Sequence, residues 1–214
     1  MILKSVQVKD IFPTEFINLG AAEQKVSVQI YRLLASGQPV PLESIASETG
    51  LSRQDVQAIL KRWPGVFYDG ADRIVGYWGL ARGKMTHRFE VNGQTLYTWC
   101  AWDSLFIPQI LQSSAQVEST CPVTGEKIRL TVAPDRIEKR APRDVSMSFI
   151  VPDASGVREN PITNFCHYVH FFMSPEVGGR WCSENDGTFI MSLDDAFDLG
   201  QEKNKLQYLL SGEA

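Results

Sequence analysis

The spacing of apolar residues changes character near residue 80, and that change constrains the fold more than any other feature of the chain. From about residue 22 to 80 the pattern is helical. Val26, Ile30, Leu33 and Leu34 share one helical face, with Gly37 as the stop. Val40, Leu42, Ile45 and Ala46 mark a second, shorter helix ended by Gly50. Ser52 stands as the N-cap of a third, with Asp55 in the capping-box position and Leu51 and Val56 at the staple positions. Residues 66–68 and 74–78 flank a polar turn and suggest a two-stranded wing. Helix, helix–turn–helix, hairpin is the order of a winged helix.

From about residue 86 the texture is that of strands and turns. Phe89-Glu90-Val91 and Thr95-Leu96-Tyr97 flank Asn92-Gly93, a pair whose tolerance of positive φ favours a two-residue hairpin. A short apolar helix is expected at 101–111, with Pro108 as a candidate kink. Strands are expected at 115–121, 127–132 and 145–151, a surface loop at 153–163, buried strands at 165–172 and 189–193, and a closing amphipathic helix at 194–210. The fold class is therefore α+β. A winged-helix-like helical domain (1–80) precedes a mixed or antiparallel β-sheet core with flanking helices (81–214).

Four cysteines, at 100, 121, 166 and 182, form no C-x-x-C knuckle, which argues against a zinc ribbon or a thioredoxin-type motif. Cys100 lies between Trp99 and Trp102 where a strand gives way to a helix, a position whose peptide dipoles favour the thiolate. Asp103 follows three residues on, in the first turn. Each has a plainer reading, as an inert core thiol and as an acid stabilising the helix dipole. Cys166 falls in an apolar stretch whose alternation sets Cys166, Tyr168 and His170 on one face and His167 on the other. A metal site could recruit His170, although a core hydrogen bond is the commoner role for a histidine in a buried strand. Cys121 opens the Cys-Pro-Val-Thr-Gly turn and reads as structural; Cys182 has no motif around it.

The net charge of −4 argues against nucleic acid as the main partner. The third helix carries Arg53, Lys61 and Arg62 but also Asp55, and two of its bases sit at the wrong end for reading a groove. No apolar run is long enough to span a bilayer, and the first residues do not resemble a secretory signal. A cytoplasmic protein with reduced thiols is expected.

Four segments in register carry a resemblance: Tyr97-Thr98-Trp99-Cys100-Ala101-Trp102-Asp103-Ser104-Leu105-Phe106, Cys121-Pro122-Val123-Thr124-Gly125, Phe165-Cys166-His167-Tyr168-Val169-His170-Phe171-Phe172, and Asp195-Ala196-Phe197-Asp198-Leu199-Gly200-Gln201-Glu202. In order and spacing they resemble the organomercurial (alkylmercury) lyases, over residues from about 25 to 210. The resemblance implies a detoxification enzyme that cleaves R–Hg–X to R–H and Hg(II). Its catalytic and mercury-binding residues would be Cys100, Asp103 and Cys166, with Cys121 supporting the fold. It also implies no resident cofactor, low-molecular-weight thiols for turnover, and a possible handover of Hg(II) to a mercuric reductase. His167 stands where such enzymes often carry a second cysteine. An apolar lining is expected from Trp99, Trp102, Phe106 and Phe165. The alternatives are a winged-helix metal sensor that binds DNA, and a thiol metal chaperone or a lyase for another organometal on the same fold.

Overall fold

Capping and burial fix the helical front of the chain. The computed structural model describes residues 6–11 and 18–208. After a short helix at Val8–Ile11, the helix Ala21–Leu34 begins where the Glu23 carboxylate accepts the Gly20 N–H at 2.8 Å. It buries Val26, Ile30 and Leu34. Leu42–Thr49 ends at Gly50, whose φ of 72° stops it without a Cβ penalty. Arg53–Leu60 starts at Ser52, whose Oγ accepts the Asp55 N–H at 3.1 Å. The wing follows as β1 (Val66–Tyr68) paired antiparallel with β2 (Ile74–Tyr77).

The wing is not a separate flap. A two-residue strand, β3 (Leu80–Ala81), pairs with β2 on one side and with β5 (Gln94–Thr98) on the other. The wing thereby continues into one antiparallel sheet, ordered β1-β2-β3-β5-β4-β6-β7-β8, with β4 (His87–Val91), β6 (Ala115–Thr120), β7 (Lys127–Val132) and β8 (Ile137–Ala141). Asn92 and Gly93 take φ of 51° and 73° in the β4–β5 hairpin, as their chemistry requires. A second sheet, ordered β10-β9-β11, comprises β9 (Ser146–Ile150), β10 (Phe171–Phe172) and β11 (Thr188–Ser192). The helix Asp103–Leu111 leaves the end of β5 and packs against the closing helix Leu193–Gln207. The α+β architecture expected from the sequence is the one observed, and every recorded strand pairing is antiparallel.

Three expectations need correction. Residues 153–163 are not a plain loop but two short helices, Ala154–Glu159 and Pro161–Asn164. Asp153 caps the first and Asn160 the second, with Pro161 at the position where a missing N–H costs nothing. Residues 165–172 are not one strand: a 3-10 turn spans Cys166–Tyr168, and only Phe171–Phe172 pair with β9. Short apolar runs do not distinguish a buried strand from other buried backbone. Finally, β8 was not expected, because its exposed Glu138 and Lys139 and half-buried Arg140 show no apolar alternation; charge is how an edge strand resists pairing with another chain. The part of the expected closing helix beyond residue 208 lies outside the described residues.

Candidate active site

A single backbone hydrogen bond links the two cysteine segments. The chain leaves β5 through a tight turn at Cys100–Trp102, and Ala101 N–H donates to the Val169 carbonyl at 3.2 Å. On the other side Ser148 of β9 holds the Cys166 turn: its Oγ donates to the Tyr168 carbonyl (2.7 Å) and accepts the His170 N–H (3.0 Å). Cys100 Sγ, Cys166 Sγ and one Asp103 carboxylate oxygen consequently lie within 4.8 Å of one another, all three residues buried. This is the trio that the sequence motifs single out. Neither histidine joins them. His170 is half-buried with its ring against Trp181, and His167 is exposed. Cys121 sits in the β6–β7 turn, where its N–H and carbonyl bond Glu126 and Gly125. Cys182 lies partly buried in the helix Pro175–Ser183.

Asp103 is the first residue of its helix, and its carboxylate reaches back to accept the Cys100 N–H at 2.8 Å. Burial raises its pKa to about 6, against the pull of hydrogen bonds from Cys100 and of the Lys203 charge. Burial also pushes the Cys100 thiol well up, helped by its hydrogen bond with Cys166 and the charge of Asp103. Cys166 rises as well: the hydrogen bond from Cys100 draws it down, but burial and Asp103 outweigh that. The thiolate expected at Cys100 from its place before a helix is thus not the resting form, because desolvation overrides the peptide dipoles.

Cys166 and Asp103 line a narrow cavity of about 30 Å³, room for no more than a water or two. Cys100, with no exposed surface, sits behind it. Trp99, Phe106 and Phe165 line the cavity as expected. Trp102 does not; fully buried, it donates its indole N–H to the Ala196 carbonyl (2.8 Å) and props Phe106 from behind, ring centroids 5.1 Å apart. Part of the wall comes from the front of the chain, through Tyr31, Trp63, Tyr77 and Trp78. Tyr31 Oη donates to the Trp78 carbonyl at 2.7 Å, and the next residue, Gly79, backs directly onto Asp103. The helical unit is therefore part of the site.

Lys203 also lines this cavity. Burial brings its pKa down to about 7, against the upward pull of Asp103. The ammonium lies 3.8 Å from the Phe106 ring centroid and donates to Asn204 Oδ1 at 3.2 Å. In the sequence it reads as an ordinary helix-surface base, one position past the fourth motif segment.

Holding Asp103 at about 6 instead of 3.8 has a cost in stability. Above about pH 6 the native state carries the ionised acid out of water and loses about 3 kcal/mol; below about pH 4 the acid is protonated in both states and the loss vanishes. Asp103→Asn is expected to melt several degrees above the parent at pH 8. That advantage should shrink steadily as thermal denaturation is followed down to pH 4.

Two buried thiols converging on a buried acid beneath a helical cap define a class of site: a donor set suited to a thiophilic centre, with a carboxyl group beside it able to exchange a proton. The comparisons with known proteins agree with that class. The sequence model for alkylmercury lyase matches residues 80–204, and that for the helix-turn-helix domain of alkylmercury lyase matches 17–78. An alkylmercury lyase of Streptomyces lividans is 38% identical over 203 residues, 94% of this chain and 91% of the relative. One of Pseudomonas putida is 40% identical over 174 residues, covering 81% and 80%. The crystal structure of the mercury-bound form of MerB2 superposes with a TM-score of 0.76 at 26% identity, over 91% of this chain and 98% of that one. The chain belongs to the alkylmercury lyase family.

Proposed function

We propose that this enzyme breaks the carbon–mercury bond of R–Hg–X by protonolysis, giving R–H and Hg(II), with Cys166, Cys100 and Asp103 as its working groups. The observation that carries the reading is the convergence of both sulfurs and one carboxylate oxygen within 4.8 Å. Mercury is soft and prefers thiolates to oxygen or nitrogen ligands. Cys166 meets it first, because Cys166 faces the cavity while Cys100 lies behind. One sulfur leaves a nearly linear, unreactive R–Hg–S unit. Asp103 then takes the Cys100 proton, the second thiolate joins the metal, and electron density pushed through mercury makes the carbon basic. Asp103, a neutral acid at that moment, returns the proton to carbon. A pKa near 6 suits a group that must accept a proton and give it up again close to neutrality.

Mercury enters here as substrate, and the scheme calls for no resident cofactor. The dithiolate product holds Hg(II) tightly, so release draws on a low-molecular-weight thiol or on handover to a mercuric reductase. Among the described residues no helix is long and apolar enough to cross a membrane, and all four cysteines are free thiols, which fits a reducing cytoplasm. Against a DNA-binding sensor, two of the three bases on or beside the helix Arg53–Leu60 are occupied within the unit: Arg53 pairs with Glu43 (2.6 Å) and Arg62 with Glu23 (2.9 Å).

Incubation with phenylmercury and excess thiol tests the reading. Benzene in the headspace is the expected product, from the parent and equally from Cys182→Ser. Recovery of phenylmercury unchanged would rule out the lyase, and a Cys182→Ser variant with lost turnover would bring that thiol into the mechanism.

A further inference from the structure

Among the described residues, Asp103 is the one buried carboxylate and Lys203 the one buried cationic side chain, and both line the same cavity. Burying a lone ammonium is costly, and nothing in the helix Leu193–Gln207 demands a lysine at that point. Its placement is nevertheless built. Gly200, one turn earlier, lets the closing helix approach Phe106 so closely that a Cβ there would stand 2.9 Å from the Phe106 Cβ. Asn204 spends its amide N–H groups on the Phe106 carbonyl (2.9 Å) and on Gln109 Oε1 (2.8 Å), which turns its Oδ1 toward the ammonium. The faces of Phe106 and Tyr208, at 3.8 and 5.6 Å from Nζ, supply the remaining favourable surroundings. No ion pair within 4 Å neutralises Nζ among the described residues.

Resting on the lyase reading, an account of charge through the reaction gives this cation a purpose. At rest both thiols are neutral and Asp103 carries one negative charge. Cys166–SH and R–Hg–X give R–Hg–S and HX, with no change in the pocket. The Cys100 proton then passes to Asp103 while its sulfur joins mercury, so the negative charge moves from the carboxylate to the R–Hg(S)₂ centre. When the proton goes on to carbon, R–H departs, Hg(S)₂ is neutral, and the charge returns to Asp103. One negative charge is present at every stage and only its position changes.

We propose that Lys203, in its ammonium form, is the counter-charge for this travelling negative charge, a positioning residue that stabilises the anionic organomercury dithiolate from which the carbon is protonated. A preorganised cation acts this way without reorganising during the reaction, and in a dry pocket it counts for far more than in water. The neutral Hg(S)₂ product does not need it. Hg(II) binding and carbon–mercury cleavage should therefore respond differently to its loss.

The test uses Lys203→Gln and Lys203→Ala with phenylmercury, avoiding methionine because its sulfur would itself attract mercury. Lys203→Gln is expected to bind Hg(II) with the parent's stoichiometry, while benzene release falls by roughly 100-fold or more, the usual scale for removing a preorganised charge-stabilising group. Lys203→Ala, which leaves space where the side chain was, should regain turnover with propylammonium and not with propanol, its neutral match in size, at equal concentration. That contrast separates charge from packing even if Lys203→Gln folds poorly. Parent-like turnover in Lys203→Gln overturns the proposal, as does rescue by the alcohol or by neither additive. A parent that releases no benzene overturns the lyase reading and this inference with it; an active parent with an equally active glutamine variant overturns this inference alone.

Discussion

Cys166→Ser is expected to retain the fold, take up phenylmercury through at most one sulfur, and release benzene roughly a thousandfold more slowly than the parent. The size of the loss follows from chemistry. A hydroxyl is a poor ligand for a soft metal, and with one thiolate the R–Hg–S unit stays linear and inert. The same loss is expected for Cys100→Ser, and removing both sulfurs should add little, because residues that act as a unit do not contribute additively. Both positions are buried, so the serine hydroxyl is partly unsatisfied, at a stability cost of about 1–3 kcal/mol. Alanine variants keep that cost out of the comparison. Circular dichroism melts alongside benzene assays separate the two effects. An active Cys166→Ala would remove that thiol from the mechanism.

Gly79→Ala should be nearly as damaging, although residue 79 carries no chemistry. Gly79 takes a φ of 97°, where an L side chain is strained, and a Cβ there would fall 2.5 Å from the Asp103 Cγ and 2.9 Å from its Cβ. Its carbonyl accepts the Trp99 N–H at 2.9 Å, so the backbone cannot readily withdraw. The carboxylate must move, and displacement of a reacting group by about 1 Å can cost on the order of 100-fold in rate. The expected result is turnover at or below about one hundredth of the parent's with Hg(II) uptake by the two thiols preserved. Near-parental activity would mean that Asp103 has more freedom than the packing against Gly79 allows.

This second variant also bears on what a reader of the sequence could see. The helical front was legible from its caps and periodicity, and the β4–β5 hairpin from Asn92-Gly93, because those signals are local. The convergence of Cys100, Asp103 and Cys166 was legible because its members sit in distinctive segments. That the helical unit covers the catalytic part is implied by the family resemblance, but the residues through which it does so were not legible. No local signal marks Tyr31 or Tyr77 as a wall of the cavity, and none says that the Trp78–Gly79 corner touches an acid beyond the next hairpin. Lys203 was missed for the same reason: a lysine on an amphipathic helix looks solvated until Gly200 brings its helix against Phe106. The backbone around Cys166 was misread as a strand although Asn160-Pro161 just ahead carries a helix-start signal. His167 nevertheless points out of the site, as the strand reading had it, because the 3-10 turn also exposes that residue.

The account as a whole depends on two sulfurs acting on one mercury atom. X-ray absorption at the mercury edge, taken after one equivalent of phenylmercury has reacted with the protein in the absence of added thiol, reads this directly. The predicted spectrum is of mercury bound by two sulfurs and no carbon in the parent, and by one sulfur and the phenyl carbon in Cys166→Ala. A parent spectrum with one sulfur, whether or not benzene had been released, would contradict it.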